Sequence, residues 1–430
     1  MASGRAVPAP WGMPDDDGTP PSAAPPVRTE RLLADLAALA AVGDTGDGGN
    51  CRLALTDEDA GGRELVVGWM RALGLDVRVD RIGNVVATRP GLDGDLAPVM
   101  TGSHVDTVRT GGRYDGTLGV LAGLEVVRAL DDAGVRTRRP LAVAFFTDEE
   151  GSRFAPDMLG SLVYVGGLAL EEALDTVGID GAVLGEELER IGWAGEAPVP
   201  GPAPHAFVEL HIEQGPLLEE EGVTIGAVTG VQGISWEELT LTGQSNHAGT
   251  TPMRLRRDPG LVAAEVTTFV RRLALELGGH QVGTVGRLDL HPDLVNVVAA
   301  RAVMTVDLRN TDDGVLREAE RRVAAFVDEA AAAEGVAVAR TTLARFAPVA
   351  FDPTVVALVE EAAQVRGHSV RRMPSGAGHD AQMLARVCPT GMVFVPSRGG
   401  VSHNPAEHTD PADLAAGTQV LADVLVRLAG

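Results

Sequence analysis

Two rhythms of apolar residues run along the chain, one with helical spacing and one of short continuous runs, and their alternation predicts an α/β fold. Leu32, Leu33, Leu36 and Leu39 line one face of a helix over residues 29–39, with Thr29 as the expected cap. A second helix starts at Thr56-Asp-Glu-Asp, carries Val66, Trp69, Met70 and Leu73, and stops at Gly74. Leu75, Val77 and Val79 alternate as a strand, and Gly83-Asn84 turns the chain into Val85-Val86-Ala87. Residues 97–101 read as a short buried strand, 119–130 as an apolar helix, and 140–147 as a strand buried on both faces of a mostly parallel sheet. A long helix with acidic faces is expected over 167–191, followed by a strand containing Phe207, Val208, Leu210 and Ile212.

Beyond Gly230 the pattern changes. A strand over 236–242, a polar loop over 243–252, a helix over 258–277, strands over 283–288 and 302–308 and a helix over 313–334 describe two helices on a small, largely antiparallel sheet. The chain then returns to the first domain through a helix over 353–365, a loop over 371–380 leading into a helix, a buried strand over 391–395 and a closing amphipathic helix over 410–428. The expected organisation is a disordered tail at 1–27, rich in Pro, Gly, Ala and Asp, a first domain at 28–230 and 350–430, and an inserted domain at 231–349.

At 430 residues and 45% apolar composition, the chain exceeds what one core usually holds and supplies two. Its net charge of −24, from 36 Lys+Arg against 60 Asp+Glu, is spread along the chain and argues against nucleic acid or anionic membrane as a partner. There is no run of 18 apolar residues, and the N-terminus lacks the charged-then-apolar order of a secretory signal. A cytoplasmic protein is therefore expected, with Cys51 and Cys388 as two reduced, structurally incidental thiols.

The chemistry gathers where the apolar runs stop. His104 and Asp106 follow the strand over 97–101, and Gly111, Gly112 and Gly116 let the next loop bend tightly around Asp115. A neutral imidazole beside a carboxylate suits a borderline metal such as zinc. The run over 140–147 ends in Asp148-Glu149-Glu150, three acids whose mutual repulsion a cation would relieve, one then binding metal and its neighbour serving as general base. His211 lies in a third strand with Gln214 near its end, and His403 follows a fourth. Ligand-type side chains thus recur at the ends of four strands, where open α/β sheets place their sites.

The set Gly-Ser-His-Val-Asp-Thr, Gly-Gly-Arg-Tyr-Asp-Gly, Thr-Asp-Glu-Glu-Gly-Ser-Arg-Phe, His-Ile-Glu-Gln-Gly, Asn-His-Ala-Gly-Thr-Thr-Pro, Gly-Ala-Gly-His-Asp and Ser-His-Asn-Pro resembles the N-carbamoyl-L-amino-acid hydrolase and allantoate amidohydrolase branch of the dinuclear-zinc exopeptidases. The likeness runs in order from about residue 30 to the end. It implies a mostly parallel-sheet, metallo-exopeptidase-type catalytic domain with an inserted α+β lid that also forms a homodimer. It also implies two divalent metal ions per subunit, zinc first, with manganese, cobalt or nickel as alternatives. Asp115 would bridge them, with His104 and His211 completing one site and Glu150 and His403 the other. Glu149 would be the base, Asp106 the carboxylate that orients the His104 ring, and His247 a stabiliser of the oxyanion reaching into the partner's site. Gln214, Asn296 and Arg309 would surround the substrate, the guanidinium facing an α-carboxylate. His379 is given no role beyond helix capping and packing. The resemblance implies hydrolysis of a linear amide or ureido bond in a small molecule. An N-carbamoyl-L-amino acid is favoured, because 145–151 and 119–125 are closer to the carbamoylases; allantoate or a related ureido acid comes next. An aminoacylase or dipeptidase, and an inactive metal-free scaffold, are the remaining alternatives.

Overall fold

The computed structural model describes residues 23–430, so most of the expected tail, residues 1–22, lies outside the described residues. Residues 23–27 depart from disorder. Ala24 is fully buried, its N–H donates to Asp423 at 2.7 Å, and the Val27 N–H donates to Gln419 at 3.0 Å. Two backbone donors thus find partners on the C-terminal helix Pro411–Ala429, which composition could not foresee.

The chain divides into two compact units, one running through Thr229 and resuming over Ala350–Gly430, the other spanning Gly230–Val349. Its strands are, in order, β1 (Asp76–Val79), β2 (Val85–Arg89), β3 (Val99–His104), β4 (Leu141–Phe146), β5 (Ala206–Ile212), β6 (Ile225–Val231), β7 (Gly233–Thr242), β8 (Asn246–His247), β9 (Val282–His291), β10 (Val297–Val298), β11 (Arg301–Asn310), β12 (Ala337–Phe346), β13 (Val349–Ala350), β14 (Val370–Ser375) and β15 (Thr390–Val395).

The first unit is built on a sheet of order β1-β2-β4-β3-β5-β15-β6-β13, with β14 also paired to β6. Its centre, β4-β3-β5-β15, is parallel: His104 lies opposite Phe146, Thr101 opposite Val208, and His211 opposite Phe394. The margins β1/β2, β2/β4 and β15/β6 are antiparallel. Every residue of the four central strands is buried, which is why β4 reads as a continuous apolar run, while β3 and β5 bury Ser103, His104, Glu209 and His211 among their apolar residues. Helix Thr117–Asp132 packs on β3 and helix Pro411–Ala429 on β15 and β5. Because the four strands are parallel neighbours, their C-terminal ends open on one edge. This is an α/β fold with a mostly parallel central sheet.

The second unit is a four-stranded antiparallel sheet, β12-β7-β11-β9, with a separate β8/β10 ribbon. Helices Pro259–Leu277 and Asp313–Glu334 start at Asp258 and Asp312, whose carboxylates accept from Gly260 N–H (2.9 Å) and Val315 N–H (2.9 Å). Their apolar faces enclose Leu239, Leu241, Val266, Met304, Val306 and Val327 in a core of the unit's own.

Several elements differ from the pattern-based expectation. Thr29 is the first residue of its helix, not the cap; Arg28 holds the cap position and makes no side-chain bond there. The acidic stretch over 167–191 is two short helices, Leu170–Leu174 and Leu184–Arg190. Gly178 N–H bonds Ala182 O at 2.8 Å and Gly181 adopts φ +83, so a turn interrupts the periodicity. Residues 370–375 form β14 rather than loop, and β12 adds a strand that was not expected. β12 is largely exposed and its apolar residues form no buried stripe, so its backbone pairing with β7 makes it a strand.

Candidate active site

Asp115 stands at the centre of the edge where β3, β4, β5 and β15 end. It is fixed by the turn Tyr114–Gly116, in which Gly116 has φ +64 and an added Cβ would strike His104 Nε2 at 2.3 Å. Its Oδ1 faces His104 Nε2 at 3.6 Å and His211 Nε2 at 3.2 Å. Its Oδ2 faces His403 Nε2 at 3.4 Å, and that nitrogen lies 3.2 Å from Glu150 Oε2. Two groups of potential ligands result, His104/Asp115/His211 and Asp115/Glu150/His403, with the ligand atoms of each group within 4.8 Å of one another. The first group is buried, whereas the His403 side chain is 49% exposed.

The rings are held from behind. His104 Nδ1 contacts Asp106 O at 2.9 Å and His211 Nδ1 contacts Ile212 O at 2.9 Å, which turns both Nε2 atoms inward. Asp106 therefore meets the His104 ring through its backbone carbonyl; its carboxylate is 3.9 Å away and instead accepts the N–H groups of Glu149 and Glu150, each at 3.3 Å. One residue thereby steadies both a ring and the acid pair. Glu149 Oε2 lies 3.4 Å from His104 Nε2. Asp148, Gln214 and His403 all have positive φ, at 55°, 57° and 52°, a strained backbone state that clusters at functional sites.

The electrostatics follow from crowding acids and imidazoles out of water. Burial, with Asp380 and Glu150 nearby, holds the Glu149 carboxyl well above the usual range despite the His104 ring. Burial also pushes Asp106 up to about 6. At Asp115 burial works the same way, yet hydrogen bonds from His104, His211 and His403 outweigh it and hold the carboxyl well below its ordinary value. Asp115 and Glu150 raise His403 to about 10. Inward imidazole nitrogens converging with carboxylate oxygens, the His104 and His211 rings anchored through their other nitrogens, form a donor set that fits two borderline divalent cations.

Other contacts had no signal in residue spacing. Gln214 Nε2 and Ser402 Oγ both donate to Asp115 Oδ2, at 2.9 and 2.8 Å. Glu209 accepts from Ser103 Oγ at 2.6 Å and from Ala381 N–H at 2.9 Å. His379 occupies the cap position of helix Asp380–Leu384, but its side chain makes no capping bond; it stacks edge-on against His211 at 4.6 Å and reaches Ser375 Oγ at 2.8 Å. Glu209, His211 and His379 also converge, but these bonds satisfy them, so they form a polar floor under the site rather than a further ion site. Burial keeps the His379 imidazole well below its usual pKa, and so neutral.

The structure thus gathers His104, Asp106, Asp115, Glu149, Glu150, His211, Gln214 and His403. His247, Asn296 and Arg309 belong to the second unit. There the ribbon sets Val297 opposite His247, and Asn296 O accepts the Ala248 N–H at 2.9 Å, so His247 and Asn296 are neighbours. His247 Nδ1 accepts from the N–H groups of Gly249 (3.0 Å) and Thr250 (3.2 Å), which leaves the ring hydrogen of the neutral form on Nε2. Arg309 stands on β11, its Nη2 3.0 Å from Asp307 Oδ2 and its guanidinium 5.7 Å from the centre of the Trp236 ring.

With this fold and site, the chain belongs to peptidase family M20/M25/M40, which matches it over residues 100–427. It is 44% identical to an N-carbamoyl-L-amino-acid amidohydrolase of Rhizobium meliloti over 92% of this chain and 95% of that one. It is 35% identical to the allantoate amidohydrolase of Bacillus subtilis over 91% of this chain and 95% of the relative. Among solved structures, an amidase of the hydantoinase/carbamoylase family from Burkholderia multivorans superposes with a TM-score of 0.92 at 47% identity, covering 95% of this chain and 99% of that one. The family and the two ligand clusters together point to divalent-metal binding. Among the described residues, no helix is long and apolar enough to cross a membrane.

Proposed function

We propose that the protein hydrolyses the carbamoyl C–N bond of an N-carbamoyl-L-amino acid, giving the free amino acid, carbon dioxide and ammonia, with two divalent ions per subunit, zinc first and manganese, cobalt or nickel as alternatives. The observation that carries this reading is that Asp115 offers one oxygen to each of two histidine-containing clusters. The Rhizobium meliloti relative supports the choice of substrate. A cytoplasmic setting belongs to the same reading, with Cys51 and Cys388 as free thiols.

His104, His211 and Asp115 would hold one ion and Asp115, Glu150 and His403 the other, and such a pair supplies an acidified water and a polarised ureido carbonyl. Glu149 takes the proton of the attacking water and returns it to the leaving nitrogen, a task suited to a buried carboxylate that is more basic than an exposed one. Asp106 keeps the His104 ring and the Glu149 backbone in register throughout. In a homodimer formed through the domain at 231–349, His247 of the partner subunit donates its Nε2–H to the oxygen on which negative charge develops. Gln214, Asn296 and Arg309 surround the substrate, the Arg309 guanidinium pairing with its carboxylate. Arg309→Ala is accordingly expected to raise KM for N-carbamoyl-L-amino acids by roughly tenfold to a hundredfold, the worth of a charge-assisted hydrogen bond, with a smaller change in kcat. Steady-state kinetics with an unchanged KM would contradict that role.

A second reading, allantoate or a related ureido acid, has the support of the Bacillus subtilis relative. Ammonia release from N-carbamoyl-L-amino acids, allantoate and ureidopropionate, alongside free amino acid release from N-acetyl amino acids and dipeptides, separates the alternatives. The carbamoyl compounds should give the highest kcat/KM; preference for allantoate would favour the second reading, and preference for an N-acetyl amino acid or dipeptide would overturn both.

A further inference from the structure

We infer that Glu407, acting through Ser402 and the backbone of Tyr114 and Asp115, is the positioning residue that holds Asp115 in its bridging orientation; the inference rests on the two-ion site proposed above. Glu407 lies in the loop between β15 and helix Pro411–Ala429 and is only 5% exposed. Its Oε1 accepts the N–H groups of Tyr114 at 2.9 Å and Asp115 at 3.2 Å. The Ser402 hydroxyl sits between Glu407 Oε2 at 3.0 Å and Asp115 Oδ2 at 2.8 Å and shares its single hydrogen between the two oxygens. One buried carboxyl therefore grips the backbone of Asp115 directly and its side chain through a single intermediary.

The surroundings are shaped for this contact. A Cβ added at Gly112 would fall 2.1 Å from the Glu407 carboxyl carbon, so the absence of a side chain there lets the loop close onto the acid. Thr110 Oγ, bonded to His403 O at 3.1 Å, forms a second tie between the same two loops. The geometric consequence is specific. Asp115 can serve both clusters only while Oδ1 points at His104 and His211 and Oδ2 at His403, and a modest rotation of its carboxylate would withdraw one oxygen. Glu407 and Ser402 oppose that rotation, and they set two ligands from distant parts of the chain, Asp115 and His403, in register.

Three variants of the full chain test this. Glu407→Ala removes every contact; Glu407→Gln keeps an oxygen for the two N–H groups and an amide that can donate to Ser402 Oγ; Ser402→Ala removes only the link to the Asp115 side chain. Metal-stripped protein is titrated with cobalt(II), with equilibrium dialysis giving stoichiometry and d–d absorption reporting ligand geometry, and ammonia release from an N-carbamoyl-L-amino acid is followed in parallel. Wild type should take up two equivalents. Glu407→Ala should bind the second at least about tenfold more weakly with an altered spectrum, the scale expected when a group behind a metal ligand is lost. Ser402→Ala should shift the same way by less, and Glu407→Gln should stay close to wild type. Wild-type cobalt affinity and spectrum in Glu407→Ala would overturn the inference, as would a Glu407→Gln protein as defective as the alanine variant. Should Glu407→Ala lose its cooperative thermal transition, Ser402→Ala decides the matter by the same readouts. A wild type that binds two cobalt ions but releases no ammonia from any ureido substrate would sink the proposed function, while the cobalt titrations still decide the role of Glu407. A wild type that binds no cobalt would overturn both.

Discussion

Glu149→Gln is expected to lower kcat by about 10²- to 10⁴-fold, the usual contribution of a positioned acid–base group, while leaving the metal content and KM close to wild type. The expectation comes from where the side chain sits. Glu149 is buried at the tip of β4, 3.4 Å from His104 Nε2, yet it belongs to neither ligand cluster, whereas its neighbour Glu150 faces His403 at 3.2 Å. Glutamine preserves shape and cannot accept a proton, so the loss should fall on the chemical step. Glu150→Gln should instead lose an ion. Elemental analysis beside steady-state kinetics separates the two: an active Glu149→Gln enzyme, or a Glu150→Gln enzyme with full metal content, would reverse the division of labour.

His247→Ala is expected to cost roughly 10²- to 10³-fold in kcat, the scale seen when one oxyanion donor is removed. The ring is exposed on the β8/β10 ribbon, with two backbone N–H groups on Nδ1 and, among the described residues, no hydrogen-bond partner on Nε2. If His247 of the partner subunit completes each site, then Glu149→Gln and His247→Ala chains are complementary. Mixing the two inactive proteins and allowing subunits to exchange should restore activity, because a twofold heterodimer holds one site with both groups intact. A mixture that stays inactive after proven exchange would place His247 in its own chain's site, as would a fully active monomer.

What the sequence disclosed, and what it hid, follows from which interactions leave a pattern. The parallel strands were legible because burial on both faces favours apolar residues throughout, and the chemistry clusters at their ends: His104 closes β3, His211 lies one residue from the end of β5, and β4 and β15 run on into Asp148-Glu149-Glu150 and the loop that carries His403. The fourth strand of the small sheet was not, since β12 is largely exposed, shows no regular apolar alternation, and owes its conformation to a ladder with β7. Acidic residues at helical spacing concealed the turn at Gly178 and Gly181. At the site, side chains that converge by lying at strand ends could be named in advance. Roles exercised through the main chain could not: Asp106 meets His104 by its carbonyl oxygen, and Glu407 meets Asp115 by an amide, neither of which depends on a recognisable spacing. Residues 23–27 were hidden for a related reason, their backbone donors being claimed by side chains some 390 or more residues along the chain.

The central claim is that Asp115 is shared by two ions, and the count of metal per chain tests it most directly. Elemental analysis of protein purified without chelators and loaded with zinc should give two ions per chain, falling to one or none in Asp115→Ala. Wild-type protein that retains one ion or none, or an Asp115→Ala variant that still holds two, would contradict the account.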